Sequence, residues 1–131
     1  MFIRFVIDEI DEESLLPLGV FHALGNLEKA GVLTEAESVL AKQHFQWFNK
    51  NLRRPNKFTR SSSAAPYRKK GKAISWFKDS ATGHIRRLRD IIAILEHHDI
   101  RVRMITTARP GYILYEDKFQ VAAEPFADTP V

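Results

Sequence analysis

The stretch DSATGHIRRLRDIIAILEHH, residues 79–98, decides the fold class. Ala81, Ile85, Leu88, Ile92 and Leu95 recur in it at spacings of four and three, so one α-helical face is apolar. Asp79 or Ser80 stands where a cap would accept the free N–H groups of the first turn. The pattern closes at His97-His98-Asp99, where the helix dipole favours cationic side chains. Arg86 and Arg89 lie a turn apart with Arg87 off to one side, which reads as a mixed charged outer face. Downstream the period changes. Val102 and Met104 alternate with Arg101 and Arg103 as on a half-buried strand, and Arg109-Pro110-Gly111-Tyr112 fits a type II turn with Gly supplying the positive dihedral. Residues 112–115 and 119–123 then flank Glu116-Asp117-Lys118 as the arms of a hairpin. One helix followed by three strands in a meander places the chain in the α+β class.

Upstream the same reasoning supplies the remaining elements. Phe2-Ile3-Arg4-Phe5-Val6-Ile7 is apolar at nearly every position and predicts a strand covered on both faces, central in its sheet. Ser14 can cap a helix that holds Pro17 in its first turn, carries Leu16, Val20, Leu24 and Leu27 inward, and stops at Gly31. Thr34-Glu35-Ala36-Glu37 is a capping box opening a second helix, with Leu40, Trp47, Phe48 and Leu52 facing the core and Arg53-Arg54-Pro55 ending it. The short link between these helices predicts an antiparallel pair. Ile74, Trp76 and Phe77 return the chain to the core as a short strand or as the lead-in to the third helix. The expectation is a single α+β domain over residues 1–131, with a four-stranded, mainly antiparallel sheet and three helices on one face. Its order is strand, helix, helix, long connection, helix and three strands.

Composition bounds what such a domain does. With 131 residues, 44% hydrophobic and 27% charged, the chain can bury one core without staples. It has no cysteine, which removes disulfides, thiolate metal sites and cysteine nucleophiles. The apolar run at the N-terminus is only six residues long and leads into Asp8, Glu9, Asp11, Glu12 and Glu13, which does not resemble a signal peptide. No run is long enough to cross a bilayer, and the expected location is the cytoplasm. The acidic run reads as a solvated edge or a docking surface for basic residues.

Charge is the distinctive feature. The formal net charge is +4, yet residues 1–49 carry three Lys/Arg against eight Asp/Glu, and residues 50–78 carry ten with no acid at all. Part of this block has ordinary explanations: Lys50 to Arg54 closes a helix, and Ile74 to Phe77 belongs to the core. The connection at about 53–73 is what remains. Its Lys57, Arg60, Arg68, Lys69, Lys70 and Lys72, with Tyr67 and Phe58 among them, are the candidate binding residues. Clustered cations release counterions from phosphates, and exposed rings stack on bases. The leading expectation is therefore a non-enzymatic binding module for an anionic partner, either nucleic acid or an acidic protein surface. The alternative is a protein-interaction or homo-oligomerisation domain in which the acidic N-terminal third of one copy meets the basic segment of another.

Enzymatic signals are weak. His22, His44, His84, His97 and His98 follow no metal-ligand spacing. His44 reads as a core histidine, and His97 and His98 as cations at a helix end. No metal site and no cofactor is expected. Ser61-Ser62-Ser63 lies in no nucleophile elbow, the glycines are scattered singly, and Glu116-Asp117 is ordinary turn chemistry. A small enzyme would have to unite His84, His97 or His98 with Glu116. The last residues, 126–131, read as an exposed tail.

Overall fold

The computed structural model describes residues 1–10, 12, 17–53 and 73–131. In chain order the elements are β1 (Phe2–Ile10), β2 (Pro17–Gly19), α1 (Val20–Ala30), α2 (Glu35–Asn51), β3 (Ile74–Lys78), α3 (Thr82–His97), β4 (Val102–Thr107), β5 (Tyr112–Glu116) and β6 (Gln120–Glu124). The class is α+β with three helices, as the sequence predicts. The sheet, however, has six strands rather than four, and every pairing in it is antiparallel.

Two local readings account for the extra strands. Pro17, expected inside a helix, instead opens β2 and pairs with Ile10. A fixed φ and a missing N–H suit the first residue of an edge strand as well as the first turn of a helix. Helix α1 therefore starts only at Val20, after Gly19, with no side-chain cap. Ser14 and Leu16 lie outside the described residues, but Val20, Leu24 and Leu27 face the core, and Gly31 ends the helix at φ 72°. Ile74–Lys78 is a strand, joined to β6 from Ile74↔Ala123 to Phe77↔Gln120.

The expected meander is broken. β4 runs along β1 from Phe2↔Thr107 to Ile7↔Val102, whereas the β5–β6 hairpin attaches through β6 to β3. β1 is thus the strand about which the sheet is assembled. Its Ile3, Phe5 and Ile7 pack under the helices with Leu88, Ile91, Ile94 and Leu95 of α3, the element against which α1 and α2 both lie. Each fully buried Leu or Ile contributes about 1.5–3 kcal/mol. Phe21 of α1 meets Phe45 and Phe48 of α2. The other face of the sheet carries a smaller cluster of Ile74, Trp76 and Val121, with Phe2, Ile105 and Val131 against it. Val131 packs here and Thr129 is buried, its hydroxyl accepting from Phe126 N–H and donating to Arg109 O, so residues 126–131 are docked rather than an exposed tail.

The capping box of α2 forms as expected: Glu37 N–H donates to Thr34 Oγ1 at 3.1 Å and Thr34 N–H to Glu37 Oε1 at 2.9 Å. Leu40 is exposed, because the inward line of α2 runs through Ala41, His44 and Phe48. Helix α3 has Ala81 at its N-cap and no side-chain cap; Asp79 pairs instead with the N-terminal amine of Met1 at 3.5 Å. Met104 is exposed although Val102 packs inward. Gly111 has the expected positive φ, 133°. Its stricter requirement is close approach, since a Cβ there would lie 2.0 Å from Glu124 O.

Candidate anion-binding cleft

A strand has two edges, and β1 has three partners. β4 takes one edge of β1 from Phe2 to Ile7, and β2 and β3 share the other: Phe2 and Ile3 pair with β3, Val6 and Ile10 with β2. Between these stretches Arg4 and Phe5 pair only on their β4 side. A cavity of about 270 Å³ opens at the gap, lined by Arg4, Phe5, Val20, Arg53, Ser75, Trp76 and Gln120 among others.

The polar groups here are unusual for an interior. Arg4 donates through Nη2 to Pro17 O at 3.4 Å and lies 5.9 Å from the centre of the Trp76 ring. Its Nη1 is buried and has no hydrogen-bond partner among the described residues. Burial lowers its pKa from the usual guanidinium range to about 10, which still leaves it charged at neutral pH. Trp76 is fully buried, and its Nε1–H also lacks a partner among the described residues. Two desolvated donors thus sit in residues that line one cavity, in a setting where unpaired donors cost free energy.

Gln120 is buried beside them. Its amide donates to Arg53 O and, at 3.2 Å, to Asp117 Oδ2. Asp117 organises the hairpin turn: its Oδ1 accepts from Phe119 N–H at 2.8 Å and Gln120 N–H at 3.0 Å, and Tyr115 Oη–H donates to its Oδ2 at 2.8 Å. Burial pushes the Asp117 carboxyl up, but these hydrogen bonds outweigh it and hold the group below its usual range. The same bond raises the Tyr115 phenol. Arg53 lies 6.0 Å from the Tyr115 ring, so the last described residue before the basic connection is fixed at the cleft.

The candidate binding residues Lys57, Arg60, Tyr67, Arg68, Lys69, Lys70 and Lys72 lie outside the described residues, as does Phe58. The two ends of their segment are described: Arg53 lines the cleft, and Ser75, just after the chain returns at Ala73, lines it too. Lys50 is exposed in the last turn of α2, and Lys78 pairs with Glu116 at 2.6 Å. Of the other arginines, Arg87 covers Trp47 at 4.3 Å, Arg103 pairs with Asp8 at 2.6 Å and Arg109 with Asp128 at 3.5 Å. Arg86, Arg89 and Arg101 do not line the cleft.

The histidines do not converge on Glu116, which is engaged by Lys78. His84 is buried, with Nε2 3.0 Å from Asn51 O and Phe119, Trp47 and Phe48 around its ring. His44 is a buried core residue, as its spacing predicts, with Nε2 3.4 Å from Asp90 Oδ2 but no hydrogen bond of good geometry among the described residues. His97 and His98 both reach Glu37, the capping-box residue of α2. Thr34 N–H, then His98 and His97, hold the Glu37 carboxyl down to about 2.

Sequence reasoning missed Arg4, Trp76 and Gln120 as a group. The signal for Arg4 was visible: one cation inside an otherwise apolar strand expected to be covered on both faces needs a counter-group. Nothing in the sequence links it to Trp76, because their proximity depends on how β1 divides its edge. Comparison of the chain with protein-family models, curated proteins and solved structures returns no match.

Proposed function

We propose that this domain is a non-enzymatic binding module for nucleic acid, in which the cleft beside Arg4 seats a phosphate and the basic connection neutralises its neighbours along the strand. The observation that carries the reading is a pair of buried donors, Arg4 Nη1 and Trp76 Nε1, without a hydrogen-bond partner among the described residues and in residues lining one cavity. A phosphate oxygen accepts from both donor types and offsets the guanidinium charge. The acid-free block 50–78 supports a polyanion over a lone small anion, since its described ends, Arg53 and Ser75, both line the same cavity. Lys57, Arg60, Arg68, Lys69, Lys70 and Lys72 would supply sequence-independent affinity, with Tyr67 as a stacking surface.

Fluorescence anisotropy with a labelled single-stranded oligonucleotide, over a salt series of roughly 25 to 300 mM, tests it. The logarithm of the binding constant should fall linearly with the logarithm of salt concentration. Replacing Arg68, Lys69, Lys70 and Lys72 by Gln should flatten that slope by roughly 3, at about 0.7 for each phosphate left unneutralised. Absence of binding to single- and double-stranded nucleic acid at the lowest salt overturns the proposal. Binding of poly-glutamate in its place would assign the surface to an acidic protein, and salt-dependent dimers in light scattering would assign it to self-association.

A further inference from the structure

We propose that Glu37, His97 and His98 form a binding site for a divalent transition ion of the Zn²⁺ or Co²⁺ type, clipping the start of α2 to the end of α3. Two imidazole nitrogens and one carboxylate face one another here. His97 Nδ1 lies 3.0 Å from Glu37 Oε2, His98 Nε2 lies 2.9 Å from Glu37 Oε1, and the three ligand atoms all fall within 4.8 Å of one another. The site is independent of the cleft and does not rest on the nucleic-acid reading.

The donor set is the argument for the metal. The two rings stand 5.4 Å apart and edge-on, each with one nitrogen facing the same carboxylate. His97 Nδ1 and His98 Nε2 both turn toward the one Glu37 carboxylate. In the tautomers protonated on the outer nitrogens, the two rings present two lone pairs beside the carboxylate to a cation. Two nitrogens with one oxygen suit zinc and cobalt and are too nitrogen-rich for calcium or magnesium.

The support around the ligands also fits. Glu37 is fixed in the first turn of α2 by the capping box, and Thr34 N–H holds its Oε1 as an outer-sphere partner would. His97 is the last residue of α3 and His98 its C-cap, where the negative end of the dipole favours a cation. His97 is 71% exposed, whereas His98 and Glu37 are 18% and 14% exposed, so one ligand is free to swing and two are held. Three protein ligands leave a position for water, which makes this an exchangeable site rather than a closed structural one.

The test uses untagged protein and the metal alone. Zn²⁺ titrated by calorimetry should bind one equivalent, and Co²⁺ should give visible d–d absorption of a four- or five-coordinate site. Glu37→Gln retains the capping hydrogen bonds while removing the anionic ligand, and His98→Ala removes an imidazole. Each should weaken binding at least tenfold, and His97→Ala likewise, while each variant keeps the wild-type circular dichroism spectrum. Zinc should raise the melting temperature of the wild type and not that of Glu37→Gln. No binding by the wild type at about 100 μM Zn²⁺ overturns the proposal. So does binding that survives Glu37→Gln and is lost in a His22→Ala control.

Discussion

Replacing Arg4 by Met should make the protein more stable and less able to bind. Burial lowers the pKa of Arg4 from the usual guanidinium range to about 10, a difference that sets a ceiling of about 3 kcal/mol on the cost of holding its charge in the fold. The folded pKa is depressed and the charged form is the protonated one. The cost is therefore fully present at neutral pH and is relieved only as pH rises through and beyond about 10. Against it stand the 3.4 Å bond to Pro17 O and the contact with Trp76, together about 1–2 kcal/mol. Met is unbranched, of similar length, and fills irregular space in a core. A net gain of about 1–2 kcal/mol remains, equivalent to a rise of about 4–7 °C in Tm for a domain of this size. Urea denaturation should show the midpoint moving up with the m-value unchanged, and anisotropy of the same variant should show weakened oligonucleotide binding. A destabilised Arg4→Met would overturn this account, because it would mean that the guanidinium is satisfied in the folded chain and holds it together.

His44 should give the domain a pH-dependent stability: burial lowers its pKa, only partly opposed by Asp90. Its contribution is present above the unfolded value of 6.5 and lost as pH falls through the lower folded value, so His44→Leu should flatten urea midpoints measured from about pH 7.5 down to about pH 4.5. Gly111→Ala forces a Cβ to within 2.0 Å of Glu124 O at a φ of 133°, and a loss of about 3 kcal/mol or more is expected in chemical denaturation. Thr34→Ala removes the α2 cap and should cost about 1 kcal/mol, whereas Glu37→Gln should leave that cap in place.

What the sequence made legible was periodic and local. The face of α3, the capping box at Thr34 and Glu37, the Gly31 stop, the positive φ at Gly111 and the hairpin around Asp117 each depend on residues a few positions apart. Two of the misplaced features depended on competition between local choices. Pro17 fits a strand start and a helix start equally, and the β2 pairing to Ile10 decided between them. Leu40 and Ala41 both fit a helical stripe, and the line through His44 and Phe48 selected Ala41. The cleft was hidden for a different reason. Arg4, Trp76 and Gln120 come from β1, β3 and β6, and only the sheet order brings them together. His97, His98 and Glu37 were legible singly as helix-end residues, and their meeting required the end of α3 to reach the beginning of α2.

The sharing of β1 among three partners also sets when the chain can fold. Its long edge is completed by β4, with Phe2 against Thr107, so β1 leaves the ribosome well before the strand it needs. Pairings of such separation require a large loop to close before any contact rewards it, which slows folding and leaves apolar strands exposed meanwhile. Phe2 to Ile7 is the most apolar stretch of the sheet, and in a nascent chain ending before Val102 one edge of it would have no β4 to meet. Closure of the sheet thus has to wait for β4, and the acidic run that begins with Asp8 and Glu9, at the end of β1, adds charge beside the waiting apolar segment.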